Sequence, residues 1–233
     1  MQAIDTRLDQ IAHRKSTLPE GRAVQERAAE LAELDSELVR VRTAHTDVQR
    51  EVTKAETDVE LVRNRSSRNQ ARLDSGQGTP KDLQALQHEI ASLARRQGEL
   101  EETELEVMER AESLENELDR LGAARQTMAA ELDQLTAARD AAVAALDEEA
   151  EGLRVDRAQS LPDVGEELLA LYEKVRTASG GVGAAALRQR RCEGCRLELN
   201  QVDLARIAAA APDEVLRCEE CRRILIRTSE SGV

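Results

Sequence analysis

The chain has 233 residues, a formal net charge of −13, 34% charged residues, one Tyr, and neither Trp nor Phe. That inventory excludes a large aromatic-anchored core, and the dominance of Ala, Leu, Glu and Arg is the composition of long helices and coiled coils. No apolar run approaches the roughly 20 residues of a membrane span, and MQAIDTRLDQ lacks the basic and apolar regions of a signal peptide, so the sequence reads as cytoplasmic with no membrane span. Arginine outnumbers lysine, a compositional hint of a high-GC bacterial genome.

In chain order, Ile4, Leu8 and Ile11 mark a first helix over residues 1–17. A break is expected at Leu18, Pro19, Glu20 and Gly21, because proline removes a helical hydrogen bond and clashes with the preceding turn. From Val24 to Leu73 a seam recurs at three-four spacing: Val24, Leu31, Leu38, Val48, Val52, Ala55, Val59 and Asn69 lie on it. A second seam runs from Leu83 through Leu86, Leu93, Leu100, Val107, Ala111, Leu114, Leu121 and Leu132 to Leu146. High charge with few aromatics also describes disorder, but a disordered chain would not keep a heptad register.

Between the seams lies DSGQGTP, residues 74–80. Its glycines permit turn conformations, Thr79 can cap, and Pro80 suits a first helical turn. The simplest solution is an antiparallel hairpin in which the numbers of paired residues sum to about 156. Residues 136–152 then need another partner, and the helix of residues 1–17 supplies it. Arms of roughly 70 residues would reach on the order of 100 Å. His45 on the seam reads as a tolerated polar position, and His13 and His88 show no metal-ligand spacing.

Beyond Asp156 the heptads stop. Pro162 and ELLALYEKV predict a short amphipathic helix with Leu168, Leu169, Tyr172 and Val175 on one face, which places Tyr172 in a core, and SGGVG ends it. Then RCEGCR and RCEECR place Cys192, Cys195, Cys218 and Cys221 as two Cys-x2-Cys pairs, the spacing of a zinc ribbon. A thioredoxin-like dithiol would leave the second pair unexplained. Four thiolates close the shell of one Zn²⁺, so the metal is structural. Strands are expected near Ala185 to Arg191, Glu214 to Arg217 and Arg222 to Arg227, with a helix from Gln201 to Ala210 capped by Asn200.

Residues 184–233 hold nine Arg against eight Asp or Glu, net +1, which leaves −14 on the remainder. Arg188, Arg190, Arg191, Arg196, Arg222, Arg223 and Arg227 crowd the knuckles and strands, with Arg217 beside them. They can hold the phosphates of RNA or DNA, bind an acidic protein surface, or solvate a small domain. No aromatic accompanies them to stack bases.

In the order TPKDLQALQHEIASL, LPDVGEELLALYEKVR, GVGAAAL, CEGC and CEECRRILIR, the chain resembles the bacterial C4-type zinc-ribbon proteins with a long N-terminal coiled-coil hairpin. The resemblance implies zinc ligation by the four cysteines and no catalytic activity. It also implies an adaptor or chaperone role in flagellar or type III secretion assembly, with an alternative sigma factor, export components or a transcript as partners. Two positions depart from the family pattern: Arg222 where Gly is common, and Ile226 where Tyr is common.

The expected architecture is mainly α. A long antiparallel coiled-coil hairpin occupies residues 1–158, a connecting helix and Gly-rich linker 159–183, and a small β zinc ribbon 184–233. The expected function is a non-enzymatic adaptor or scaffold that binds proteins through hairpin and ribbon and takes no small-molecule substrate. The alternative is a nucleic-acid-binding regulator that uses the arginines of the ribbon.

Overall fold

A computed structural model describes all of residues 1–233. Four helices, α1 (Gln2–Ser16), α2 (Pro19–Asp74), α3 (Pro80–Ser160) and α4 (Glu166–Ala178), precede β1 (Ala184–Arg188), β2 (Arg191–Cys192), α5 (Gln201–Ala209) and β3 (Ile224–Ile226). The chain divides into two compact units, Ala23–Leu135 and Met1–Arg22 with Thr136–Val233.

Within Ala23–Leu135, α2 and α3 run antiparallel. Val48, Ala55, Val59 and Asn69 of α2, and Leu86, Val107, Ala111 and Leu121 of α3, are buried, and all eight lie on the two seams. Cross-arm ion pairs lie near the expected register: Arg27 with Glu131 (3.3 Å), Asp35 with Arg125 (2.5 Å), Glu51 with Arg110 (3.0 Å) and Arg65 with Glu89, while Arg63 with Glu101 (2.5 Å) departs from it by about two turns of helix shared between the arms. Each is half exposed and contributes at most about 1 kcal/mol, so the seam and not the charges holds the arms together. At the turn, Gly76 and Gly78 have φ of +65° and +136°. Thr79 and Asp82 then form a reciprocal cap, with the Thr79 amide donating to Asp82 Oδ2 (2.9 Å) and the Asp82 amide to Thr79 Oγ1 (3.3 Å).

In the other unit, α1 packs on the C-terminal part of α3. Ile11, Leu146 and Ala150 are its core, with Leu8, Leu18 and Leu153 against them. The expected kink at residues 18–21 is a separation of two helices: α1 ends at Ser16, and Pro19 opens α2 at the position where its missing N–H costs nothing.

The ribbon sheet has the order β2-β1-β3, with β1 antiparallel to β2 and parallel to β3. The expected strand from Ala185 to Arg191 is two strands. Gln189 and Arg190 (φ +47° and +66°) make a two-residue turn that pairs Arg188 with Arg191. The expected strand from Glu214 to Arg217 does not form. Pro212 and Asp213 turn the chain, and only Arg217 bridges to Ile224. The helix capped by Asn200 is present, with its side chain accepting from the Asp203 amide at 2.8 Å.

Candidate metal centre

The two knuckles are built alike. The amide of Arg196 donates to the Cys192 carbonyl (2.7 Å) and that of Arg222 to the Cys218 carbonyl (2.8 Å). Both arginines take φ of +62°, which turns the chain back after the second cysteine of each pair. This winding aims the sulfurs inward: Cys192 Sγ lies 3.8 Å from Cys221 Sγ, Cys195 Sγ lies 3.9 Å from Cys218 Sγ, and all four lie within 4.8 Å of one another. With Zn–S bonds of about 2.3 Å, the edge of a tetrahedron is about 3.8 Å, which the two shortest sulfur–sulfur separations match, so the four donors are gathered as a tetrahedral ion requires.

Cys192 and Cys218 are fully buried. As free thiols, burial pushes both up, Cys218 to about 12, although the amides of Gly194 and Cys195 and of Glu220 and Cys221 point at their sulfurs and favour thiolate. Burial also works against Cys221, but the Arg223 amide and neighbouring donors bring it down to about 7. A divalent cation supplies the charge these buried thiolates need. When bound, zinc fills its shell with sulfur and contributes folding free energy to a module whose core is Leu187, Leu199, Leu204, Ile207, Leu216 and Leu225. No coordination position remains for water or substrate.

The arginines divide by role. Arg223 is structural: its guanidinium donates to the carbonyls of Ser179 (2.8 Å), Val182 (3.0 Å) and Gly194 (3.2 Å), which ties the first knuckle to the end of α4. Arg227 donates to the carbonyls of Ile207 (3.1 Å), Ala210 (2.7 Å) and Ala211 and so closes the end of α5. Arg188 pairs with Glu230 and Arg222 with Glu219, and Arg217 donates to the Arg222 carbonyl. Arg190, Arg191 and Arg196 are exposed and take no part in the ion pairs of the ribbon.

Beside the ribbon lies a cluster that periodicity does not announce. Asp5, 1% exposed, accepts from Tyr172 Oη (2.6 Å) and Arg157 Nε (2.7 Å), with Arg176 at 3.8 Å. Burial opposes its charge, yet the Tyr172 hydroxyl and the Arg157 guanidinium outweigh it and hold the carboxyl below its ordinary value. Gln2 Oε1 accepts from the amides of Gly183 (2.7 Å) and Ala184 (3.0 Å), so α1 holds the entry to β1. The readable signal was a charge at Asp5 sharing a helix face with Leu8.

A long antiparallel helical hairpin followed by a closed four-cysteine zinc ribbon is the class that fold and metal centre define. Residues 1–180 match the CT398-like coiled coil hairpin domain and residues 191–225 the C4-type zinc ribbon domain. The chain belongs to the family that carries this hairpin domain. It is 39% identical over 224 residues to a Mycobacterium tuberculosis protein, covering 96% of this chain and 91% of that one. A Mycobacterium leprae protein is 30% identical over 220 residues, 94% of each. A solved structure from Mycobacterium smegmatis has a TM-score of 0.86 at 37% identity, covering 97% of this chain and 94% of that one. One from Helicobacter pylori, at 12% identity and a TM-score of 0.50 over 97% and 93%, shares the fold alone. No helix is long and apolar enough to cross a membrane.

Proposed function

We propose that the protein is a non-enzymatic cytoplasmic adaptor that binds proteins through its helical arms and its ribbon. The observation that carries this reading is the division of apolar side chains on the arms. A narrow seam is buried, while Val39, Leu61, Leu105 and Met108 face outward at 46% exposure or more. In this reading they serve as contact points for a partner helix. The closed sulfur shell supports the same reading, since it offers structure and no chemistry. Photo-crosslinkers at Leu61 and Leu105 in the native cell, read by mass spectrometry, test it: recurrent specific protein adducts are expected. An alternative sigma factor and export components, which the resemblance implies, are the first to seek. No specific adduct at either position, and none at a third crosslinker on the exposed Leu197 of the ribbon, would end the reading.

The unpaired Arg190, Arg191 and Arg196 favour a second reading, a ribbon that holds RNA or DNA phosphates. Affinity would then fall steeply with salt, and neutralising these three would flatten the slope. Absence of binding to either nucleic acid at low salt would remove it.

A further inference from the structure

Strand β3 sends alternate side chains to opposite sides. Leu225 enters the ribbon core, while Ile224 and Ile226 turn towards α1 and α4. There a groove of about 380 Å³ is lined by the stretch from Met1 to Ala3, by Val164 and Leu168, and by Ala184, Ile224 and Ile226, around the ring of Tyr172. The Tyr172 hydroxyl is committed to Asp5, so the groove meets only its apolar ring. Ile224 is 5% exposed at the floor and Ile226 48% exposed at the rim. The groove therefore has a covered bottom and an apolar lip open to solvent.

Next to the wall formed by Val164 and Leu168 the chain is acidic. Asp163, Glu166 and Glu167 flank Val164 and Leu168 in sequence, and all three are exposed. The ion pairs of α4 are made by Glu173 and Arg176, which leaves these carboxylates without basic partners. An apolar slot beside three unpaired carboxylates complements large aliphatic or aromatic side chains flanked by Lys or Arg. Its volume, at the low end for ligand sites, suits a few anchoring side chains and not a folded surface. Nucleic acid has no charge complementarity to this face.

We infer that this groove, framed by α1, α4 and β3, docks a basic amphipathic segment of a partner protein. The inference rests on the adaptor reading and names a second contact surface, apart from the arms. The test uses the zinc-loaded full chain and three fluorescein-labelled peptides: one with Leu at helical spacing flanked by Lys, one with Glu replacing Lys, and one with Ser replacing Leu. Only the first should bind saturably. Ile226→Asn should weaken it by about tenfold or more, and the triple change D163K/E166K/E167K should transfer preference to the Glu peptide.

Equal binding of the Glu or Ser peptide, or binding indifferent to both sets of changes, would overturn the proposal. So would native mass spectrometry that found a co-purifying small molecule in the wild type but not in Ile226→Asn, or a dimer that Ile226→Asn dissolved. If the peptides fail while crosslinks at Leu61 and Leu105 persist, the groove assignment falls and the adaptor reading stands.

Discussion

Arg196 and Arg222 occupy backbone conformations that glycine adopts without steric cost and other residues do not. Arg222 accounts for one departure from the family pattern: the left-handed turn is kept, its strain is accepted, and the guanidinium pairs with Glu219 at 2.9 Å. Arg196 has no such ion pair, so Arg196→Gly should stabilise the ribbon by about 1 kcal/mol. Arg222→Gly should gain less, because it also removes the pair with Glu219. Resistance of the zinc centre to a competing chelator, with the unfolding midpoint of the ribbon, measures both. Asp5 behaves oppositely. Removing a buried charge from its partners costs about 3 kcal/mol, so Asp5→Asn should destabilise the junction of α1, α3 and α4 by about that much. Because the folded carboxyl lies below its ordinary value, its contribution is complete above about pH 4 and is lost as pH falls through the folded value. The zinc thiolates protonate in the same direction. The readout is therefore the difference in urea midpoint between wild type and Asp5→Asn, which should narrow on acidification. A constant difference would show that Asp5 acts through packing alone.

The long helices were legible because one short-range period, repeated over many turns, leaves little choice of partner. The buried residues of Ala23–Leu135 all lie on seams readable from spacing alone, and Ile11, from the pattern Ile4, Leu8, Ile11, packs with Leu146 in the stretch 136–152; Ala150 beside it lies off the seam. The ribbon strands were less legible because they are two to five residues long and held by distant groups. The turn at Gln189 and Arg190 lacks the Asn-Gly signature of its type. It is held from outside by the Glu230 carbonyl (2.7 Å), the Ser231 carbonyl (2.9 Å), and the Ser231 hydroxyl donating to Leu187 (2.9 Å). Nothing local in the sequence announces that clamp. In the arms, Asn69 is the buried polar residue of the α2 seam. In a dimeric coiled coil such a residue specifies register at a cost in stability; here the turn at residues 74–80 does that work. Asn69→Leu should therefore raise the melting temperature without changing the oligomeric state. A new dimer or trimer in sedimentation would show that Asn69, and not the turn, enforces pairing.

At the scale of the whole molecule, the four cysteines were legible as a set, because two Cys-x2-Cys pairs leave few alternatives, and the structure brings their sulfurs within 4.8 Å of one another. What spacing could not show is how the ribbon is tied to its neighbours. Arg223 bridges the first knuckle to Ser179 and Val182, and Gln2 holds Gly183 and Ala184. Loss of zinc should thus free the ribbon and loosen the end of α4 with it, while Ala23–Leu135 keeps a seam of its own. Hydrogen exchange followed by mass spectrometry, with and without a zinc chelator, measures this directly. If zinc is structural and the arms fold on their own core, exchange protection should vanish over residues 183–231, fall at residues 178–182, and remain unchanged over 23–135. Collapse of protection along the arms, or a ribbon that keeps its protection without metal, would contradict it.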